Sequence, residues 1–410
     1  MRSAFGENAG RWKPAVLGVA LGVVFALGAS GCGNSGGTGG NGPPDLATLG
    51  TPIDLSQGVS LDLAGTTPDL ATQPDAAIPG GKAQPATQAT GRYFPDTAPW
   101  YRDISQAPVA ADSSAITQWM VGKAAPGGWG TGKMRVDFSI VAVDVPANTP
   151  RRPYAMAKGF FYSPDCDTAP VPLVPGGAVE ETYGTPTVFT SPWSAYDCSG
   201  FGGGADCHVL LVSRSEKRLY EIYHATVDAQ NTFTAGCLAI WDTTSVDPNG
   251  RGQQCTSADA AGFPMSPLLF SVEEVKAGTI DHAIRFILPN SMIRAKKYVA
   301  PATHGTNTSG PLTSGPYGFR MRLNKNYPVN SLSPAAQVVA RALQKYGMLM
   351  ADGGNIALTA QSDVLSTVKW TDVGFDSNSL SALKATDFDV IDDTPTVDVT
   401  YNCQRKPINN

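Results

Sequence analysis

The segment CHVLLVSRSEKRLYEIYHA, residues 207–225, restricts the fold more than any other part of the chain. Two runs of alternating apolar residues flank a polar loop of four residues, RSEK, which is the pattern of a β-hairpin. An even-length loop sets a register in which His208 faces Tyr223. Because opposed residues of an antiparallel pair share a face, we expect His208, Glu221 and Tyr223 on one face and His224 on the other.

This register makes His208, Glu221 and Tyr223 candidate catalytic residues. A histidine, a glutamate and a tyrosine within diagonal reach can supply a base, an acid and an orienting partner. The alternative is an ordinary cross-strand pair of His208 and Glu221 on a solvated face. A loop of odd length or a β-bulge would separate the three side chains.

A further candidate acid is Glu180, which stands beside Glu181 in PGGAVEETYG, a loop rich in glycine and proline. Glycoside hydrolysis usually needs two carboxyl groups across the scissile bond. Glu180 with Glu221 would make such a pair. The alternative is that these are solvated loop acids.

Polysaccharide lyases instead need a base and a group that neutralises a uronate. In PYGFRMRLN, Arg320 and Arg322 share one face of a predicted strand and could hold a uronate through bidentate hydrogen bonds. The alternative is a charged outer face.

Three loop residues are candidates for substrate binding. Trp129 and Trp193 stand among small residues, where a flat apolar ring can meet a sugar face, although such rings also fix loops to a core. His304 lies in the polar loop YVAPATHGTNTSG, and loops often carry binding residues.

Several functions lack their sequence pattern. No H-x-H or H-E-x-x-H spacing occurs in the chain, and the predicted domain, residues 91–410, has neither a Walker motif nor a G-x-G-x-x-G dinucleotide motif, so we expect no metal and no cofactor. The G-x-S-x-G elbow of serine hydrolases is also missing from residues 91–410. With a net charge of −5 and no basic run, nucleic acid is not the expected partner. The expected partner is an extracellular polysaccharide or another envelope glycan.

The N-terminus predicts export. Residues 15–29 are apolar, but a stretch of this length is short for a bilayer span, which needs about twenty residues. The following Ala-Ser-Gly-Cys resembles the lipobox of bacterial lipoproteins, which implies cleavage before Cys32 and acylation of its thiol. Gly33 in the next position favours the outer membrane or cell surface, with membrane contact through the lipid anchor only. An ordinary cleaved signal or an uncleaved anchor is the alternative.

The remaining chain divides into a tether and a folded part. Residues 1–31 are the predicted signal peptide, and 32–90 form an Asp-Leu-repeating segment rich in glycine and proline, expected to be disordered. Residues 91–410 are the predicted domain, with a split into two lobes near residue 270 as the alternative. Six cysteines predict up to three disulfides in fifteen connectivities. They are Cys166, Cys198, Cys207, Cys237, Cys255 and Cys403.

The expected fold class is mainly β, an antiparallel sandwich or jelly roll with a few packed helices. Strands are predicted at 134–145, 157–162, 207–213, 218–226, 235–241, 280–288 and 317–323. Ser271 and Glu274 have the spacing of a capping box, Gly278 ends that helix, and Ser333-Pro334 opens another that ends at Gly347.

Three blocks, TSADAAGFPM (256–265), DHAIRF (281–286) and ALQKYGMLMADGG (342–354), resemble segments that recur in this order in a widespread family of secreted bacterial proteins. The resemblance would cover residues 92–395. The activity of that family is undetermined, so the resemblance implies export and no particular chemistry.

Overall fold

The computed structural model describes residues 86–124, 126–157, 164–180, 194–198, 207–228, 230, 232–246, 251–391, 395–405 and 407–408. The predicted signal peptide, the predicted acylation site Cys32 and nearly all of the expected tether lie outside these residues, as does most of the strand expected at 157–162. None of the helices in the described ranges is long and apolar enough to cross a membrane.

The described part of the chain is mainly β with few helices, as expected. Its strands are β1 Thr87–Gln88, β2 Val136–Ile140, β3 Ala142–Asp144, β4 Arg151–Arg152, β5 Ala155–Met156, β6 Val171–Pro172, β7 His208–Ser213, β8 Arg218–Tyr223, β9 Thr226–Val227, β10 Phe233–Ala235, β11 Cys237–Asp242, β12 Ile284–Leu288, β13 Lys297–Tyr298, β14 Arg320–Leu323, β15 Met348–Gly353, β16 Leu358–Gln361, β17 Phe388–Ile391 and β18 Val397–Asp398. Its α-helices are α1 Ser113–Lys123, α2 Val272–Ala277 and α3 Pro334–Lys345.

Most of the longer strands belong to two sheets. The first has the order β1-β3-β7-β8-β11, and the second has the order β17-β14-β15-β12-β16-β2. The predicted strand at 134–145 is interrupted at Val141 and supplies both sheets, β2 to the second and β3 to the first. The strands β15, β16 and β17 were not among the predicted ones.

The pairing within these sheets is mixed, which corrects the expectation of a purely antiparallel fold. In these sheets the pairs β3–β7, β12–β15 and β2–β16 are parallel, as is the pair β5–β10 in a smaller sheet of order β5-β10-β9. A sandwich or jelly roll is therefore not confirmed. The alternation of apolar residues shows which face of a strand is buried. It carries no information on the direction of the neighbouring strand, because that strand comes from a distant segment of the chain.

Both predicted helix signals are found. Ser271 Oγ accepts from the Glu274 N–H while the Glu274 carboxylate accepts from the Ser271 N–H, and Gly278 ends α2 in the left-handed conformation. The helix α3 begins at Pro334, which has no N–H to leave unsatisfied, and Gly347 follows it with φ of 68°.

The β7–β8 hairpin is buried on both faces. On one face Val209, Leu211 and Ile222 join a cluster with the strand β6. On the other, Leu210 and Leu219 join the main core, which extends to the second sheet. The solvated hairpin face offered as an alternative is therefore wrong, because further segments of the chain cover both sides.

Three disulfides brace this part of the chain. They join Cys166 to Cys237, Cys198 to Cys207 and Cys255 to Cys403. All six cysteines that were predicted to pair do so. Disulfides of this number indicate an oxidising, extracellular environment.

Candidate functional site

The predicted hairpin register is confirmed. His208 pairs with Tyr223, Leu210 with Glu221, and the pairing continues without a bulge to Ser213 and Arg218. The rings of His208 and Tyr223 lie 5.5 Å apart. His208, Glu221 and Tyr223 therefore belong to the same face, which is the face turned toward the main core.

Glu221, however, is bound by a different part of the chain. Its fully buried carboxylate accepts hydrogen bonds from the backbone N–H groups of Met265 and Ser266, the Ser266 hydroxyl and the Trp241 indole, at 2.7–3.1 Å. Burial raises the pKa of Glu221, although these donors favour its charged form. The geometry assigns Glu221 a structural contact between β8 and the 265–266 turn rather than a contact with His208.

The carboxylate beside His208 is Glu180. His208 Nδ1 lies 2.6 Å from Glu180 Oε2, and its Nε2 lies 3.0 Å from the Ala258 carbonyl oxygen. The backbone N–H of Glu180 also donates to the His208 carbonyl, so the loop before Glu180 runs along the start of β7. The two residues, 28 positions apart, form a pair that is partly buried.

The second sheet brings more charged groups to this place. Arg285, on β12, contacts Asp259 Oδ1 through Nε at 2.9 Å and through Nη2 at 2.8 Å. Its Nη1 donates to Thr359 Oγ1 at 3.0 Å, and Nη2 also donates to Asp352 Oδ2 at 3.2 Å. Asp259 is fully buried, and its Oδ2 has no hydrogen-bond partner among the described residues.

Asp137 on β2 completes the group. The Ser139 hydroxyl oxygen lies 2.9 Å from Asp137 Oδ2 and 3.2 Å from Glu180 Oε1. One hydroxyl therefore stands between two carboxyl groups. We call the whole set the charged cluster, and its members are Asp137, Ser139, Glu180, His208, Asp259, Arg285 and Asp352.

The two carboxyl groups beside Ser139 have opposite electrostatic surroundings. Burial, and then the charge of Glu180, raise the pKa of Asp137. Burial also acts to raise the pKa of Glu180, but the charge and hydrogen bond of His208, with help from Arg285, outweigh it and hold this pKa below its usual value. The surroundings thus shift Asp137 toward the protonated form and Glu180 toward the ionised form.

Asp259 shows how strongly the cluster is removed from water. Burial, opposed by Arg285 and reinforced by the nearby Asp352, raises the pKa of Asp259 to about 7. The outer members remain accessible. The side chain of Glu180 is 15% exposed and that of Asp352 is 19% exposed.

The two candidate arginines of the lyase hypothesis are buried and hydrogen-bonded to backbone carbonyl groups. Arg320 donates to the carbonyls of Tyr346, Pro99 and Arg102. Arg322 donates to the carbonyls of residues 104, 105 and 107 and to Asp389. Carbonyl groups of the segment 99–107 accept from both guanidinium groups, so in the described part of the chain this face is not a solvated outer face and the two arginines are not free to hold a uronate.

Trp129 and His304 are also inside the protein. Trp129 has no exposed surface, and its indole donates to the Leu383 carbonyl, so it fixes the loop to the core. His304 Nδ1 donates to the Ala260 carbonyl at 2.8 Å, and burial lowers the pKa of His304 to about 4. Trp193 and Glu181 lie outside the described residues.

A possible metal ligand set in the described ranges is Asp165 with Cys255 and Cys403. The two sulfur atoms are bonded to each other, so neither is a thiolate that could bind a metal.

Much of the charged cluster is not recognisable from local sequence. Asp137 looks like an outward residue of an alternating strand, and its neighbours come from segments far along the chain. One signal was present, because Asp259, Arg285 and Asp352 stand one in each of the three blocks that resemble the secreted bacterial family. Comparison with family models, curated proteins and solved structures finds no match to this chain.

Proposed function

We propose that the protein is a hydrolase of extracellular glycans whose acid and base are Asp137 and Glu180. The observation that carries this proposal is the position of Ser139 Oγ between the two carboxyl groups. A hydroxyl has one proton and can donate to only one of them. Both contacts become hydrogen bonds when Asp137 carries a proton and donates it to Ser139 Oγ, while Ser139 donates to Glu180.

This proton arrangement agrees with the electrostatics of the pair. Environments that push two carboxyl pKa values in opposite directions separate the roles of acid and base. Asp137, with the raised pKa, is the proton donor to the leaving oxygen of the sugar. Glu180, kept ionised by His208, is the base or nucleophile. His208 is a positioning residue, since it acts on the reaction through Glu180.

Hydrolysis is favoured over elimination by the state of Arg320 and Arg322, which are committed to backbone carbonyls. The exported, lipid-anchored position predicted from Cys32 would place such an enzyme at the outer membrane or cell surface, where polysaccharides are its substrates. A non-catalytic glycan-binding or adhesion module is the rival, and the same experiment separates the two.

The test uses the full chain and a panel of xylan, chitin, alginate and pectin, with release of reducing ends and ultraviolet absorbance of unsaturated sugars as readouts. We expect reducing ends without unsaturated products. Asp137→Asn and Glu180→Gln should each lower kcat/KM by roughly 10²–10⁴-fold, the usual contribution of general acid–base catalysis.

The matched control is Asp96→Asn, which changes an acid whose side chain is 89% exposed and should keep full activity. Thermal unfolding of each variant establishes that it is folded. Equal activity in wild type, Asp137→Asn and Glu180→Gln would contradict the assignment. Glycan retention without any product would favour the binding module, and unsaturated products would favour a lyase.

A further inference from the structure

One cavity of the protein is lined by none of the residues of the charged cluster. It measures about 270 Å³, close to the lower end of the roughly 300–1,000 Å³ that is usual for small-molecule sites. Its apolar lining includes Trp100, Trp241 and Phe263, and its polar lining includes Arg218, Arg251 and Asp242. The lining and the cluster have no residue in common, and Arg218 on the lining and His208 in the cluster stand at opposite ends of the β7–β8 pairing.

Two buried donors on the lining have no acceptor. Trp100 Nε1 and Arg251 Nε are both buried, and neither finds a hydrogen-bond partner among the described residues. Such donors cost free energy unless a ligand or water supplies an oxygen. The Arg251 guanidinium is held rigidly, because its terminal nitrogens donate to Asp167 and to the carbonyls of Ile240 and Asp165.

Arg218 adds a charged donor at the partly exposed edge of the cavity. It lies opposite Asp242 in the β8–β11 pairing, and its guanidinium makes no hydrogen bond to the described residues. Asp242 already accepts two hydrogen bonds from Thr244 through one oxygen, at 2.7 and 2.8 Å. Trp100, Arg251 and Arg218 therefore each present a donor that no described residue accepts from.

We propose that this cavity binds a small ring compound bearing one carboxylate. The planar guanidinium of Arg218 matches a carboxylate in bidentate geometry, and the aromatic lining accommodates the ring. A lone pair that Arg218 leaves free on the carboxylate, or a ring hydroxyl oxygen where the ligand has one, then accepts from Trp100 Nε1 and Arg251 Nε. A uronic acid residue and an aromatic acid share this chemistry, and the experiment distinguishes them.

The test measures binding of D-glucuronate, benzoate and D-glucose to the full chain by isothermal titration calorimetry and by tryptophan fluorescence. We expect saturable binding of one of the two carboxylates and none of neutral glucose. Arg218→Gln should weaken that binding by roughly 10–100-fold, as for loss of a hydrogen bond to a charged group. Trp100→Phe keeps an aromatic ring, removes the donor, and should weaken it by roughly 2–10-fold.

The control variant is Arg341→Gln, which removes the same charge from an exposed position of α3. Glu180→Gln should bind the carboxylate as tightly as wild type does. The hydrolase proposal and the cavity proposal can therefore fail independently of each other. Absence of carboxylate binding, equal binding of glucose, or equal effects of Arg218→Gln and Arg341→Gln would overturn the proposal. Arg218 is a partly exposed strand residue, so we expect Arg218→Gln to fold. This variant therefore tests the cavity proposal even if Trp100→Phe does not fold.

Discussion

At the scale of single residues, burial decides the protonation and the hydrogen bonds of the candidate side chains. His304, expected from the sequence to be displayed on a loop, is buried and hydrogen-bonded to Ala260, and burial lowers its pKa from the usual 6.5 to about 4. Polar loop composition identifies the loop but not what covers it. In contrast, the link between Glu180 and catalysis was a sequence prediction, and the structure places Glu180 beside His208.

The buried neutral His304 leads to a pH prediction. Between pH 6.5 and about 4 the unfolded chain protonates this histidine and the folded chain does not. Its contribution to stability is therefore present above pH 6.5 and is lost as the pH falls through about 4. The loss amounts to about 3 kcal/mol in the free energy of unfolding.

His304→Asn should remove this acid-side loss, because an asparagine amide can donate to the Ala260 carbonyl without titrating. Urea unfolding between pH 7.5 and 4 measures the change. The variant is expected to be less stable at pH 7.5, since packing against Tyr401 is lost, but to have a flatter profile. His224→Asn is the control, at a residue with φ of 57°, which asparagine tolerates. Identical profiles in His304→Asn and wild type would refute this account.

At the scale of secondary-structure elements, short sequence patterns predicted the features that depend on neighbouring residues alone. The even loop and alternation of the hairpin fixed its register, and the Ser271–Glu274 spacing predicted the start of α2. Contacts between residues far apart in the sequence could not be predicted in this way. Glu221 was assigned to His208, yet its donors come from Met265 and Ser266, whose positions depend on how a distant turn packs against β8.

The buried carboxylate of Glu221 should therefore matter for stability. Glu221→Ala leaves several donors without an acceptor inside the protein, and we expect it to lower the free energy of unfolding by about 3 kcal/mol or more. Urea unfolding at pH 7 is the measurement. Glu216→Ala, which removes a partly exposed ion pair with Arg151 on the hairpin loop, should cost less than about 1 kcal/mol. Equal costs for the two variants would show that Glu221 does not hold the turn.

For the molecule as a whole, the six cysteines predicted up to three disulfides but not their pairing, since they allow fifteen connectivities. The observed pairing joins segments that the sheets bring together. Cys255 and Cys403 are 148 residues apart, so their bond ties the C-terminal segment to the turn that precedes the Asp259 block. Cys198 and Cys207 are only 9 residues apart.

These separations predict unequal contributions to stability. A disulfide restricts the unfolded chain more when it closes a longer loop, and loop-closure entropy gives about 5 kcal/mol for the Cys255–Cys403 pair against about 3 kcal/mol for the Cys198–Cys207 pair. Replacing each pair by two alanines and measuring urea unfolding under non-reducing conditions tests this order. Removal of the longer-range bond should lower the midpoint more. The reverse order would mean that the C-terminal segment is held mainly by its other contacts, among them the Arg405–Asp167 ion pair at 2.6 Å.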